Sequence, residues 1–285
     1  MKHRFDVQVG MVAFRIGSMW RAPIDALAGL YRDYPRPDGV ADYTVRLEAV
    51  QPWRRWVRPS VAILGDHVLP EAAPLPLRLG LLAAEMGMNL QIALGERRFL
   101  LLHAATVERD GVALILTGES GAGKSTLATL LATRGWRFMG DEFTLLDPET
   151  GMMLPFPRPS SLKNRSIEAV AALVPVDRLG PELADTPKGR IRHVIPALSA
   201  IAAMQTPARP AAIVFPRFGA EAAVRPVARS ETFVRLTQAS TNYVALGERG
   251  FVALTRLIET VRAIAVDYPD TDSAISLIDD VRAAL

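Results

Sequence analysis

The run Gly118-Glu119-Ser120-Gly121-Ala122-Gly123-Lys124-Ser125 has the types and spacing of a phosphate cradle: glycine, four residues, then glycine, lysine and serine. Each position has a chemical reason. Glycine tolerates the torsions that turn successive backbone N–H groups inward around an anion. A helix beginning near Lys124 directs its positive end at the same point. The Lys124 ammonium is expected to reach β- and γ-phosphates and the Ser125 hydroxyl to ligate Mg²⁺, with Thr126 closing the set of nucleotide-binding positions. An apolar stretch, Val112–Thr117, precedes the loop and an amphipathic one, 125–134, follows it. A chance glycine-rich turn lacks that context.

Two adjacent carboxylates, Asp141 and Glu142, follow a short apolar strand beyond the loop. Carboxylates at such a strand end hold Mg²⁺ or take a proton from an attacking hydroxyl. Asp141 is read as the proton acceptor and Glu142 as the metal ligand beside Ser125. His103 lies in the apolar strand that leads toward the loop. It is either a satisfied structural histidine or the residue that orients Asp141. Ser160 and Lys163, in the polar run 160–164, either line the site or start a helix. Arg190 and Arg192 follow Thr186-Pro187-Lys188-Gly189. They suit a basic loop that closes over phosphates or an acidic substrate, with a solvated surface loop as the alternative. Asn242-Tyr243 reads as packing.

The elements that must position these residues follow from periodicity. The first 95 residues are proline-rich, which favours short strands and turns. Alternation predicts strands over 7–12 and 43–48, with a short helix over 25–32. A helix is expected over 77–94. In the centre, 99–107 and Val112–Thr117 flank Asp110-Gly111, a hairpin signal. A strand over 136–139 ends at the acidic pair, and 143–146 and 152–156 flank a turn. Later come a strand over 211–216 and helices over 230–240, 249–261 and 271–285. The organisation expected is an N-terminal α+β lobe over 1–95 and a phosphate-loop core over 96–285 with a C-terminal helical extension.

Composition narrows the classes. The chain has 285 residues, 49% of them hydrophobic, which is ample for packed cores. It has no cysteine, so disulfide frameworks, thiolate metal sites and a cysteine nucleophile are excluded. The net charge of +3 is too weak to argue for nucleic acid. Trp53 and Trp56 interleave with Arg54, Arg55 and Arg58, but no nucleic-acid motif accompanies them, and an exposed basic strand edge is the reading taken. No uncharged apolar stretch is long enough to cross a bilayer and no targeting signal is evident. The chain reads as a soluble cytoplasmic protein without a membrane or nucleic-acid partner.

An antiparallel partner beside the loop strand is the arrangement of HPr kinases and phosphoenolpyruvate carboxykinases, so the expected fold is mixed α/β with that P-loop core. The sequence resembles the HPr-kinase-related kinase A group, relatives of bacterial HPr kinase/phosphorylase. The resemblance is carried by Tyr31-Arg32-Asp33-Tyr34-Pro35, Leu101-Leu102-His103-Ala104-Ala105, the loop 118–125, Gly135-Trp136-Arg137 leading to Asp141-Glu142, Pro157-Arg158-Pro159-Ser160-Ser161-Leu162-Lys163-Asn164, and Asn242-Tyr243 with Leu246-Gly247. It implies that His103 matches the histidine preceding that family's loop. It implies that Asp141 and Glu142 stand for its paired aspartates, one a proton acceptor and one a metal ligand. The chain has Asp-Glu where HPr kinase has Asp-Asp, and it lacks the later Glu-x-Arg-Gly. The implied activity is ATP- and Mg²⁺-dependent phosphoryl transfer to a Ser/Thr hydroxyl of a protein or peptide, by a homo-oligomer. A small-molecule hydroxyl acceptor, and a nucleotide-binding regulatory module with little turnover, are the alternatives.

Overall fold

The structure is a computed structural model and describes residues 2–285. The chain opens with a hairpin in which β1 (His3–Val9) and β2 (Val12–Ser18) pair antiparallel about Gly10-Met11. The alternation over 7–12 therefore is not one strand, because the chain reverses inside it. Gly10 has φ +54°, and a Cβ there would lie 2.1 Å from the Pro155 carbonyl oxygen. Only glycine satisfies both conditions. α1 (Arg21–Leu30) starts ahead of the expected 25 and buries Ile24, Leu27 and Leu30 at helical spacing. β3 (Tyr43–Ala49) runs parallel to β2 and antiparallel to β4 (Ser60–Gly65), which β5 (Leu75–Pro76) borders. The Trp53 segment is a 3₁₀ turn, Pro52–Arg55, and not a strand edge. α2 (Gly80–Gly95) packs on β3 and β4.

The central region begins with β6 (Leu100–Leu102), β7 (Ala104–Arg109) and β8 (Val112–Thr117). β7 and β8 form the expected hairpin, with Asp110 and Gly111 at φ +54° and +81° in its turn. The glycine loop leads from β8 into α3 (Lys124–Ala132), and β9 (Arg137–Gly140) pairs antiparallel with β7 before ending at Asp141. β10 (Thr144–Leu146) and β11 (Met153–Leu154) complete a small sheet with β6. β12 (Ser160–Lys163) is followed by α4 (Arg165–Ala171) and joins β13 (Leu179–Thr186) and β14 (Gly189–Val194) in another three-stranded sheet.

The last third runs through α5 (Leu198–Ala202), β15 (Arg209–Phe218), β16 (Ala223–Pro226), α6 (Arg229–Ala239), α7 (Tyr243–Leu246), α8 (Glu248–Thr260), β17 (Arg262–Tyr268) and α9 (Thr271–Ala283). The main sheet has the order β16-β17-β15-β8-β7-β9. β8, β15 and β17 are parallel, and β7 is antiparallel to both of its neighbours. Alternate residues of β15 feed two cores. Ile213 and Phe215 pack with Leu254 and Leu257 of α8, while Ala212 and Val214 pack with Leu127 and Leu131 of α3 and Ile278 of α9. Burial on both faces explains its continuous apolar run. The core of the first sheet continues into Leu101, Leu145 and Phe156, so the N-terminal elements and the central region share one apolar cluster. Among the described residues no helix is long and apolar enough to cross a membrane.

Candidate functional site

The strand directions bring five chain ends to one edge of the main sheet: the C-terminal ends of β8, β9, β15 and β17 and the start of β7. Ligands of open α/β sheets lie at such an edge. There the loop after β8 holds Gly118, Gly121 and Gly123 at φ +144°, +88° and +93°. At Gly118 and Gly121 an added Cβ would meet open space, so torsion and not room is what requires glycine there. The Lys124 Nζ donates to the carbonyls of Gly118 at 2.8 Å and Glu119 at 2.9 Å. Burial pulls its pKa down, against the opposing charges of Asp141 and Glu142. With only its own loop as partner, this ammonium is free to exchange those carbonyls for stronger phosphate oxygens.

Asp141 is 5% exposed. Its Oδ1 accepts a hydrogen bond from the Ser125 hydroxyl at 3.0 Å and its Oδ2 one from the Ser160 hydroxyl at 2.9 Å. Thr129 donates to the Ser125 carbonyl at 2.7 Å and its hydroxyl lies 3.2 Å from that of Ser160. Burial, then the neighbouring Glu142 charge, raises the Asp141 pKa, and the two hydroxyls offset this only in part. Glu142 has φ +69°, a left-handed conformation uncommon for a residue with a Cβ. That torsion separates the two carboxylates. Asp141 points inward at Ser125, while Glu142 reaches the cleft with Oε2 3.6 Å from His103 Nδ1 and Oε1 3.9 Å from Lys163 Nζ. His103 therefore pairs with Glu142 and not with Asp141. The left-handed turn at Glu142 accounts for this.

A cleft of about 480 Å³ lies over these groups. Ser120, Gly121, Gly123, Lys124, Ser125 and Thr126 line it from the loop side, and His103, Asp141, Glu142 and Lys163 line one end. Gly118, Glu119 and Ala122 shape the loop behind this wall, and Ser160 sits behind Asp141. Arg190 and Arg192 do not reach the cleft. Residues 186–189 close the β13–β14 hairpin, so both arginines lie on a strand. Arg190 is held by Glu182 at 2.6 Å and Glu168 at 2.7 Å, and Arg192 donates to the Gly180 carbonyl at 3.0 Å. Lys188 in the turn, Arg165 of α4, and Phe218 and Tyr268 at the strand ends do line the cleft. The last three belong to no recognisable pattern in the sequence. A glycine after Phe218 is the only local hint of a strand ending at a site.

The donor set suits a hard cation. Ser125 and Asp141 offer one hydroxyl and one carboxylate, and among the described residues no group of three or more His, Cys, Asp and Glu converges as a full metal cage. Such sparse oxygen donors fit Mg²⁺, which keeps several waters and binds substrate phosphates beside one or two carboxylates.

The model of the SynChlorMet cassette protein ScmC family matches residues 83–173, less than half of the chain. That segment contains the glycine loop, Asp141, Glu142, Ser160 and Lys163. Among solved structures, the chain is similar to the Hpr(Ser) kinase/phosphatase from Coxiella burnetii, at 12% identity and a TM-score of 0.29, over 65% of this chain and 99% of that one. No curated protein matches the chain.

Proposed function

We propose that this protein is an ATP- and Mg²⁺-dependent phosphotransferase acting on a hydroxyl of a protein, peptide or small molecule, with a protein Ser/Thr hydroxyl as the first acceptor class to test. The observation that carries the reading is the convergence of Lys124, Ser125, Asp141 and Glu142 on one cleft at the end of a strand–loop–helix, with Ser125 and Asp141 joined by a 3.0 Å hydrogen bond. The 118–125 loop would cradle the phosphates through its N–H groups, and Lys124 would stabilise charge on the transferring group. Ser125 and Asp141 would hold Mg²⁺, which when bound neutralises the phosphate oxygens. Glu142 would take the proton of the acceptor hydroxyl as the acceptor oxygen bonds to phosphorus and the bond to the departing diphosphate breaks. His103 and Lys163, on either side of the Glu142 carboxylate, would orient it. This assignment reverses the metal and proton roles expected of the two carboxylates from sequence, because Asp141 is the one bonded to Ser125.

The test is incubation of the protein with ATP, Mg²⁺ and host extract beside a Lys124→Ala control, with mass spectrometry of proteins and metabolites. A phosphorylated species absent from the control is the expected result and identifies the acceptor. Nucleotide bound without any new phosphorylated species would replace the enzyme reading with that of a regulatory nucleotide-binding module.

A further inference from the structure

We propose that Phe218 and Tyr268 form a stacking shelf for the aromatic base of a nucleotide whose phosphates lie in the glycine loop. This rests on the nucleotide reading above and adds the direction in which the ligand lies. The order β17-β15-β8-β7-β9 makes the two ends of the cleft chemically different. Toward β9 are the carboxylates, His103 and Lys163. Toward β15 and β17 the wall is aromatic. A ligand with its terminal phosphate at Glu142 that runs along the strand ends extends its other end over β15 and β17.

That end is built for a flat ring. Phe218 and Tyr268 are partners in register at the ends of two adjacent parallel strands, with ring centroids 6.0 Å apart in an edge-to-face arrangement. They adjoin the loop itself: a Cβ at Gly123 would lie 3.0 Å from the Tyr268 hydroxyl and 3.8 Å from the Phe218 Cβ. Tyr268 is almost wholly buried and supports the shelf, while Phe218 is 61% exposed at the cleft rim. Phe215 on the same strand is 4% exposed, so the exposure of Phe218 is a property of this edge and not of the strand. The Tyr268 hydroxyl makes no hydrogen bond within the described residues, which leaves it available to a ribose or a base. Asp267, which precedes Tyr268 on β17 and pairs in register with Arg217, is held by Arg217 and Arg225 at 2.6 and 2.8 Å. Its carboxylate is thus committed, and the shelf acts through the ring face. Stacking on an aromatic side chain tolerates any base, because every base presents a π-face.

Calorimetric titration with two probes, Mg²⁺–ATP and Mg²⁺–tripolyphosphate, tests the shelf. Tripolyphosphate fills a phosphate loop and has no base. Phe218→Ala is expected to weaken ATP binding about tenfold and to leave tripolyphosphate binding unchanged, with Phe218→Trp retaining ATP affinity. Since the Phe218 ring is mostly in solvent, its truncation leaves the cores intact. Unchanged ATP affinity in Phe218→Ala, or an equal loss for both probes, would overturn the shelf while leaving the phosphate loop standing. A wild-type protein that binds neither probe would instead overturn the nucleotide reading, and the shelf with it.

Discussion

At Glu142 the backbone turns through φ +69°, and two carboxylates one residue apart end up in different surroundings. Asp141 is enclosed and tied to two serine hydroxyls, whereas Glu142 stands between His103 and Lys163. The two neutral isosteres should therefore fail differently. Glu142→Gln is expected to keep Mg²⁺–ATP affinity while lowering single-turnover transfer by about 10²- to 10⁴-fold, the contribution of a positioned base. Asp141→Asn is expected to lose the Mg²⁺ dependence of nucleotide binding, read by titration with and without chelator. The opposite pattern would restore the roles read from sequence. The loop, Ser125 and the acidic pair were legible because a short contiguous pattern carries them. The different surroundings of Asp141 and Glu142 were not, since they depend on one backbone torsion and on Ser160.

Between α2 and β6 the chain is fastened by one carboxylate and one amide. Glu96, buried, accepts from the Arg98 backbone N–H at 2.6 Å and from its guanidinium at 2.7 Å. Asn242 donates to the carbonyls of Glu96 at 3.0 Å and Phe99 at 2.8 Å and accepts from the Leu101 N–H at 3.0 Å, so it is packing, as its sequence context suggested. Burial alone would raise the Glu96 pKa, but Arg98 outweighs it and holds the group below the usual carboxylate range. A depressed carboxylate adds stability that is present above its ordinary pKa and is lost as pH falls through the folded value. Glu96→Gln should cost about 1–3 kcal/mol at neutral pH, with the difference shrinking below about pH 4. Urea unfolding at the two pH values checks this, and an equal loss at both would assign the effect to packing. Among elements, the β7–β8 hairpin and α3 were legible because their signals are local. β14 was not, because Arg190, Arg192 and His193 disguise its alternation as a basic loop. β17 follows α8 with no glycine or proline to mark the change of period.

Across the whole molecule, Arg158 ties the N-terminal helices to the central strands. It is 4% exposed, pairs with Glu85 of α2 at 2.5 Å, donates to the hydroxyl of Tyr31, the residue that caps the C-terminus of α1, at 3.0 Å and also bonds Asn89. Only Pro159 separates it from Ser160, which holds Asp141. Removing one member of a buried ion pair strands the other charge. Arg158→Ala is expected to destabilise the protein by about 3–5 kcal/mol, measured by urea unfolding, and adding Glu85→Gln should recover part of the loss. A cost below about 1 kcal/mol would mean that water reaches Glu85.

The order of the main sheet also sets an order in time. As the ribosome extends the chain, β7, β8 and the glycine loop emerge well before residues 209–218 exist to lie beside β8, and the aromatic end of the cleft waits for Tyr268. Pairing across such separations is slow and comes after local structure. A nascent chain halted before residue 209 would carry the loop at the open end of the β7–β8 hairpin, with β8 lacking its β15 neighbour and the cleft lacking its aromatic wall. The phosphate end of the site is encoded mid-chain, and its aromatic end exists only once residue 268 has been made.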